Sequence, residues 1–85
     1  MLYRIITENK NKAAILSMVS GVFDGFTAIE STGFWRGKQE NSLIIEIVCP
    51  EFNYKDLIGV CIAIKRYNCQ ESVLLQAIEL SSEFI

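Results

Sequence analysis

Hydrophobic positions divide the chain into six short patterned stretches separated by polar or glycine-bearing breaks. Leu2 to Thr7 is rich in branched and aromatic side chains, which suit a pleated surface, and predicts a strand. Apolar residues fall on both of its faces, with Arg4 the exception, as in a strand that is covered twice. Glu8 to Lys12 is polar and ends it, and Asn9 or Asn11 can cap a helix start by accepting from a free backbone N–H. Ala14, Ile15, Met18, Val19, Val22 and Phe23 then recur at helical spacing. Gly21 weakens that helix near its end, and Asp24-Gly25 marks a turn.

Phe23 to Val48 is the stretch around which the rest is organised. It predicts a strand over Thr27 to Trp35, a polar link from Gly37 to Asn41, and a second strand over Ser42 to Cys49. Leu43, Ile45 and Ile47 point one way and Ile44, Glu46 and Val48 the other, so both faces are largely apolar. Pro50 stops the strand because it donates no ladder hydrogen bond. Asn53 is placed to cap a helix from Tyr54 to Arg66, on which Leu57, Ile58, Cys61 and Ile64 or Lys65 keep the apolar spacing. Lys65 and Arg66 oppose the dipole in its last turn, and Asn68 is expected to terminate it. Glu71 to Leu80 is read as the final strand, followed by a short tail from Ser81 to Ile85.

The order β-α-β-β-α-β predicts an α+β, ferredoxin-like fold: a four-stranded antiparallel sheet with two helices on one face, spanning residues 1–85 as a single domain. The helices cover one sheet face only. The apolar fraction, 51% of 85 residues, is high for so small a chain, and it implies that the second face is covered as well. Burying about 600 Å² of apolar surface per partner contributes on the order of 15 kcal/mol gross before association costs. A homo-oligomer is therefore expected.

The net charge of −2 argues against a partner as long and anionic as a nucleic acid, and no basic run suits a membrane surface. Three cysteines without C-x-x-C spacing, and no leader-like opening, point to reduced thiols in the cytoplasm. Cys49 and Cys61 are expected to pack as small apolar groups, while Cys69 sits in a loop. The chain has no histidine, which removes the commonest general base and metal ligand, and no glycine-rich phosphate loop. No catalytic residue, metal or cofactor is expected. Glu46 interrupts an apolar face and is expected to pair with Arg4 or Arg36.

The strongest local signal is Gly33-Phe34-Trp35-Arg36-Gly37-Lys38. Two aromatics beside two cations and two glycines can stack on a base and neutralise phosphate. The same group can equally anchor a subunit interface, since aromatics beside arginine are common there. The ligand-binding candidates are Trp35 and Phe34 for stacking and Arg36, Lys38 and Arg4 for phosphate. The expected partners are a small phosphorylated or nucleotide-like ligand and further copies of the chain.

Phe23-Asp24-Gly25-Phe26-Thr27, Gly33-Phe34-Trp35-Arg36-Gly37, Glu40 with Ser42-Leu43, and Gln70-Glu71-Ser72-Val73-Leu74 together resemble a group of small uncharacterised bacterial and phage domains. Those carry a D-G-F/L-T turn, a G-x-W and a late Q-E-S-V-L strand. In general shape the arrangement also resembles the trimeric CutA and PII signalling proteins and the dimeric ferredoxin-like monooxygenases. The long nucleotide-binding loop of PII is missing, so none of its site residues carry over. The phage resemblance implies a non-enzymatic sponge that holds a nucleotide-derived immune signal. The alternatives are a cofactor-free oxygenase or isomerase of the same fold, with Glu46 or another shifted carboxylate in a deep apolar cavity, and a protein-interaction module without a small ligand.

Overall fold

In the computed structural model, which describes residues 1–79 and 83, the chain runs β1 (Leu2–Glu8), α1 (Lys12–Ser20), β2 (Thr27–Trp35), β3 (Lys38–Val48), a 3-10 turn (Glu51–Asn53), α2 (Tyr54–Asn68) and β4 (Leu74–Ile78). The sheet order is β2-β3-β1-β4 and every neighbouring pair is antiparallel. This is the expected ferredoxin-like arrangement. Leu80 of the expected final strand and the tail beyond it, apart from Glu83, lie outside the described residues.

Burial alternates along the two central strands. Tyr3, Ile5 and Thr7 of β1 and Leu43, Ile45 and Ile47 of β3 are buried. All but Thr7 join Ile15 and Val19 of α1, Phe23, and Leu57, Val60, Cys61 and Ile64 of α2 in one apolar core. Both helices therefore use the stripes that their spacing predicts, while Val22 and Ile58 fall at the edge and stay exposed.

The opposite sheet face carries no helix, and register assigns it in rows. Ile29, Ile44, Ile6 and Leu74 form one apolar row across all four strands. Thr27, Glu46, Arg4 and Gln76 form the polar row beside it. Val48, Leu2 and Ile78 form a second apolar row. In the middle, Arg4 Nη2 and Nε both donate to Glu46 Oε2, at 2.8 and 3.1 Å. The ion pair expected for Glu46 thus forms with Arg4.

The hairpin link corrects the sequence reading. Gly37 to Asn41 is not a loop: β3 begins at Lys38, paired with Trp35, and only Arg36 and Gly37 turn the chain. Both have positive φ, 51° and 77°, the pattern of a type I′ turn whose twist matches that of the flanking strands. Residues 38–41 read as a link because they are polar. They are polar because they form an arm beyond the end of β1 that water reaches on both sides. Arginine is a poor occupant of a left-handed position. Arg36→Asn should raise stability by about 0.5–1 kcal/mol in denaturant unfolding, and a loss of stability would mean that the guanidinium contributes more than its backbone costs.

Helix ends are corrected in the same way. Asn11 takes the N-cap position of α1, but its side chain makes no capping bond and donates instead to Asn68 Oδ1 at 3.0 Å. Asn53 likewise donates to Asp56 Oδ2 rather than capping α2. Asn68 does not terminate α2. It is the last helical residue, and Cys69 supplies the left-handed conformation at φ 53°, its N–H donating to Arg66 O. β4 starts at Leu74 rather than Glu71, because Gln70 turns the preceding segment by donating to Ser72 O at 2.7 Å. Among the described residues no helix is long and apolar enough to cross a membrane.

Candidate ligand-binding site

The arm of β2 and β3 ends in the two-residue turn, and this placement decides what each candidate side chain can meet. Trp35 is the last residue of β2 and stands on the helix-free face, 63% exposed. Lys38 is directly opposite on the same face, and the Arg36 guanidinium lies 5.6 Å from the centre of the Trp35 ring. A cation over an indole at that distance is attracted by the ring's negative face. Phe34 pairs with Gln39 on the other side of the arm, because neighbours along a strand point to opposite faces. Arg4 shares its row with Thr27, eight residues along β2 from Trp35, or about 26 Å at strand rise. The fold thus brings Trp35, Arg36 and Lys38 together and keeps Phe34 and Arg4 apart from them.

A cleft of about 580 Å³ opens where the arm meets the end of β1 and the approach to β4, lined by Glu8, Trp35, Arg36, Glu40, Glu71 and Ser72. Gly33, paired with Glu40, lies close under Ser42: a Cβ there would meet Ser42 Oγ at 3.0 Å. Four of these lining residues were not legible as site residues. Glu40 sits in the misread link, and Glu8, Glu71 and Ser72 arrive only through sheet pairing. Three carboxylates against one guanidinium give the cleft an acidic lining. It can stack a planar group on Trp35, hold an anionic or hydroxyl group with Arg36 and Ser72, and attract an amino or cationic group with its carboxylates.

Two smaller grooves flank the helices. One of about 420 Å³ runs between α1 and α2, and one of about 200 Å³ lies between α2 and the start of β4. Glu46 lines neither of these nor the hairpin cleft, being held on the open face by Arg4. Among the described residues no group of three or more acidic or cysteine side chains is arranged to hold a metal ion.

The cysteines sort as their positions predict: Cys61 is buried, Cys49 is half-buried and Cys69 is exposed. Burial pushes the Cys61 thiol up from the ordinary 9.0 to about 11. The unfolded chain therefore ionises first in alkali, so stability present below pH 9 is lost as the pH rises toward 11. Melting measured across that window should fall more steeply for the native chain than for Cys61→Ala, and equal slopes would contradict the assignment. Elsewhere, the Glu30 carboxyl is held below the usual range by its hydrogen bond from Lys12 Nζ, at 2.8 Å, and by that cation's charge.

No family model matches the chain, and no curated protein matches it. Solved structures do. A DUF3240 family protein from Shewanella baltica OS155 superposes with a TM-score of 0.76 at 19% identity, over 99% of this chain and 94% of that one. A phage SAM lyase in its apo state matches with a TM-score of 0.58 at 18% identity, over 87% of this chain and 75% of that one. A functionally unknown protein from Pediococcus pentosaceus ATCC 25745 matches with a TM-score of 0.57 at 15% identity, over 98% and 95% of the two chains. What is shared at these identities is the fold. Two of the three neighbours are domains without an assigned function, in keeping with the resemblance to small uncharacterised domains.

Proposed function

We propose that this chain is a non-enzymatic, oligomeric small-ligand-binding protein whose site is the hairpin cleft. The observation that carries this reading is the cleft of about 580 Å³ with Trp35 and Arg36 on its wall. The ligand is nucleotide-like: a planar base stacks on Trp35, and Arg36 meets its phosphate or hydroxyl groups. Glu8, Glu40 and Glu71 disfavour a polyphosphate and favour a nucleoside that also bears an amino or cationic group. The phage SAM lyase adds one candidate, because the compound in its name is an adenosine carrying a sulfonium. With no histidine, the chain lacks the commonest general base, which favours holding the ligand over transforming it. Sequestration of a nucleotide-derived immune signal is the use such a protein would have.

A second reading is a lyase acting on a sulfonium nucleoside. It is favoured by carboxylates beside an aromatic wall, since a carboxylate can act as a general base.

The test is a thermal-shift panel of S-adenosylmethionine, adenosine, AMP, ADP-ribose and cyclic dinucleotides, with each ligand recovered and analysed by mass spectrometry. Binding at 100 times Kd stabilises the fold by about 2.7 kcal/mol, or roughly 10–20 °C. A shift that is lost in Trp35→Ala, with the ligand recovered intact, is the expected result. No shift, or the same shift in Trp35→Ala, overturns the site. Recovery of cleaved ligand transfers the site to the lyase reading.

A further inference from the structure

The helix-free sheet face carries two apolar rows, and three members of the face, Ile29, Val48 and Leu74, are 41–67% exposed. Between those rows lies the Arg4–Glu46 pair, with side-chain exposures of 32% and 25%. On a solvated face such a pair contributes little to stability. Its position at the centre of an otherwise greasy surface has a different consequence. Strand order is β2-β3-β1-β4, so the midline of the sheet falls between β3, which carries Glu46, and β1, which carries Arg4. A two-fold axis along that midline lays β1 of one copy over β3 of the other. It brings each Arg4 over the other copy's Glu46, and one apolar row meets its own counterpart.

The geometry points to a second copy of this chain as the occupant of the open face, seated about that two-fold axis. Charge supports it a second time. The same operation lays the arm of one copy, with Arg36 and Lys38 at its tip, over the Glu8 and Glu71 end of the other. A basic tip thus meets an acidic end twice in one assembly. Area supports it as well. Four strands about 4.8 Å apart and seven residues rising about 3.3 Å each outline roughly 450 Å². That is less than the about 800 Å² per partner of a stable standard interface, so the arm must take part. Residues 38–41 have no β1 partner and project about 13 Å, far enough to reach across the other copy. Each hairpin cleft is then roofed by the other copy's arm. The inference deepens the oligomer of the proposed function, yet the two fail separately: a monomer that binds ligand through Trp35 ends the pairing alone, and a dimer without ligand ends the cleft alone.

The test uses two single charge reversals on the full chain. Arg4→Glu makes the centre of the face wholly negative, and Glu46→Arg makes it wholly positive. Each alone opposes like charges across the axis and should sediment as a monomer at micromolar concentration, with native circular dichroism. Mixed in equal amounts they should associate, because the negative face now meets a positive one. Leu74→Glu, on the edge strand, gives a second reading should either reversal unfold. It should leave a folded monomer that no mixing rescues. Singles that assemble as well as the native chain, or a mixture that stays monomeric, overturn the inference.

Discussion

Ile5→Ala lowers the melting midpoint by roughly 10–30 °C at fixed protein concentration, the equivalent of about 2–5 kcal/mol. Ile5 has no solvent exposure and lies on the central strand β1, opposite Ile45 on one side and Leu75 on the other. Its row sits beneath Ile15, Val19, Leu57 and Ile64, all fully buried, so neither helix can sink into the space without moving the other. Removing three carbons from such a place leaves a cavity as well as lost transfer energy. A chain of 85 residues has little stability to spare, and the loss is a large share of the whole. Ile5→Val, which removes one carbon, is the control at about 0.5–1.5 kcal/mol. An alanine variant that melts within a few degrees of the native chain would mean that the sheet and helices are not packed through this residue.

Asn68→Ala costs about 2–3 kcal/mol, more than its single missing amide suggests. Asn68 is 1% exposed at the end of α2. Its Oδ1 accepts from Asn11 Nδ2 at 3.0 Å, and its Nδ2 donates to Gln70 Oε1 at 2.9 Å. The same Gln70 oxygen accepts from Thr7 Oγ1 at 2.9 Å, and Lys10 Nζ donates to the Asn68 carbonyl at 2.8 Å. The Asn68 amide therefore ties the start of α1 to the end of α2 and, through Gln70, reaches Thr7 of β1. Its loss leaves the Asn11 amide without its acceptor and frees Gln70, which then holds Thr7 alone. The Gln70→Ala variant and the double variant close a cycle, and a coupling of about 0.5–3 kcal/mol is expected for groups in one network. Strictly additive losses, or an Asn68→Ala cost below about 0.5 kcal/mol, would contradict the hub.

These two sites differ in how readable they are in the sequence. Ile5 sits in a strand pattern and Asn68 does not. A polar residue at a helix end reads as a terminator, and nothing local reveals partners 57 and 58 residues away. The strand Thr27–Trp35 was legible from its branched and aromatic run, whereas the polar half of β3 was not, because an arm wet on both sides keeps no apolar alternation. The turn was hidden too: Arg36-Gly37 lacks the asparagine or aspartate that usually announces a type I′ turn. The nearness of Trp35, Arg36 and Lys38 was legible because a tight turn keeps sequence neighbours together, although Lys38 does not line the cleft. Phe34 was miscounted by ignoring the two-residue period that sends adjacent strand residues to opposite faces. The carboxylates at Glu8 and Glu71 belong to the cleft only through the pairing of β1 with β3 and β4, which sequence proximity does not encode.

A second copy of the chain is the proposed cover for the apolar rows of the helix-free sheet face and the proposed roof of each hairpin cleft. Sedimentation velocity of the native protein at micromolar concentration measures this directly. The expected result is a single species at twice the subunit mass that persists on dilution. A single species at the subunit mass, folded and soluble with its apolar rows in water, would contradict it.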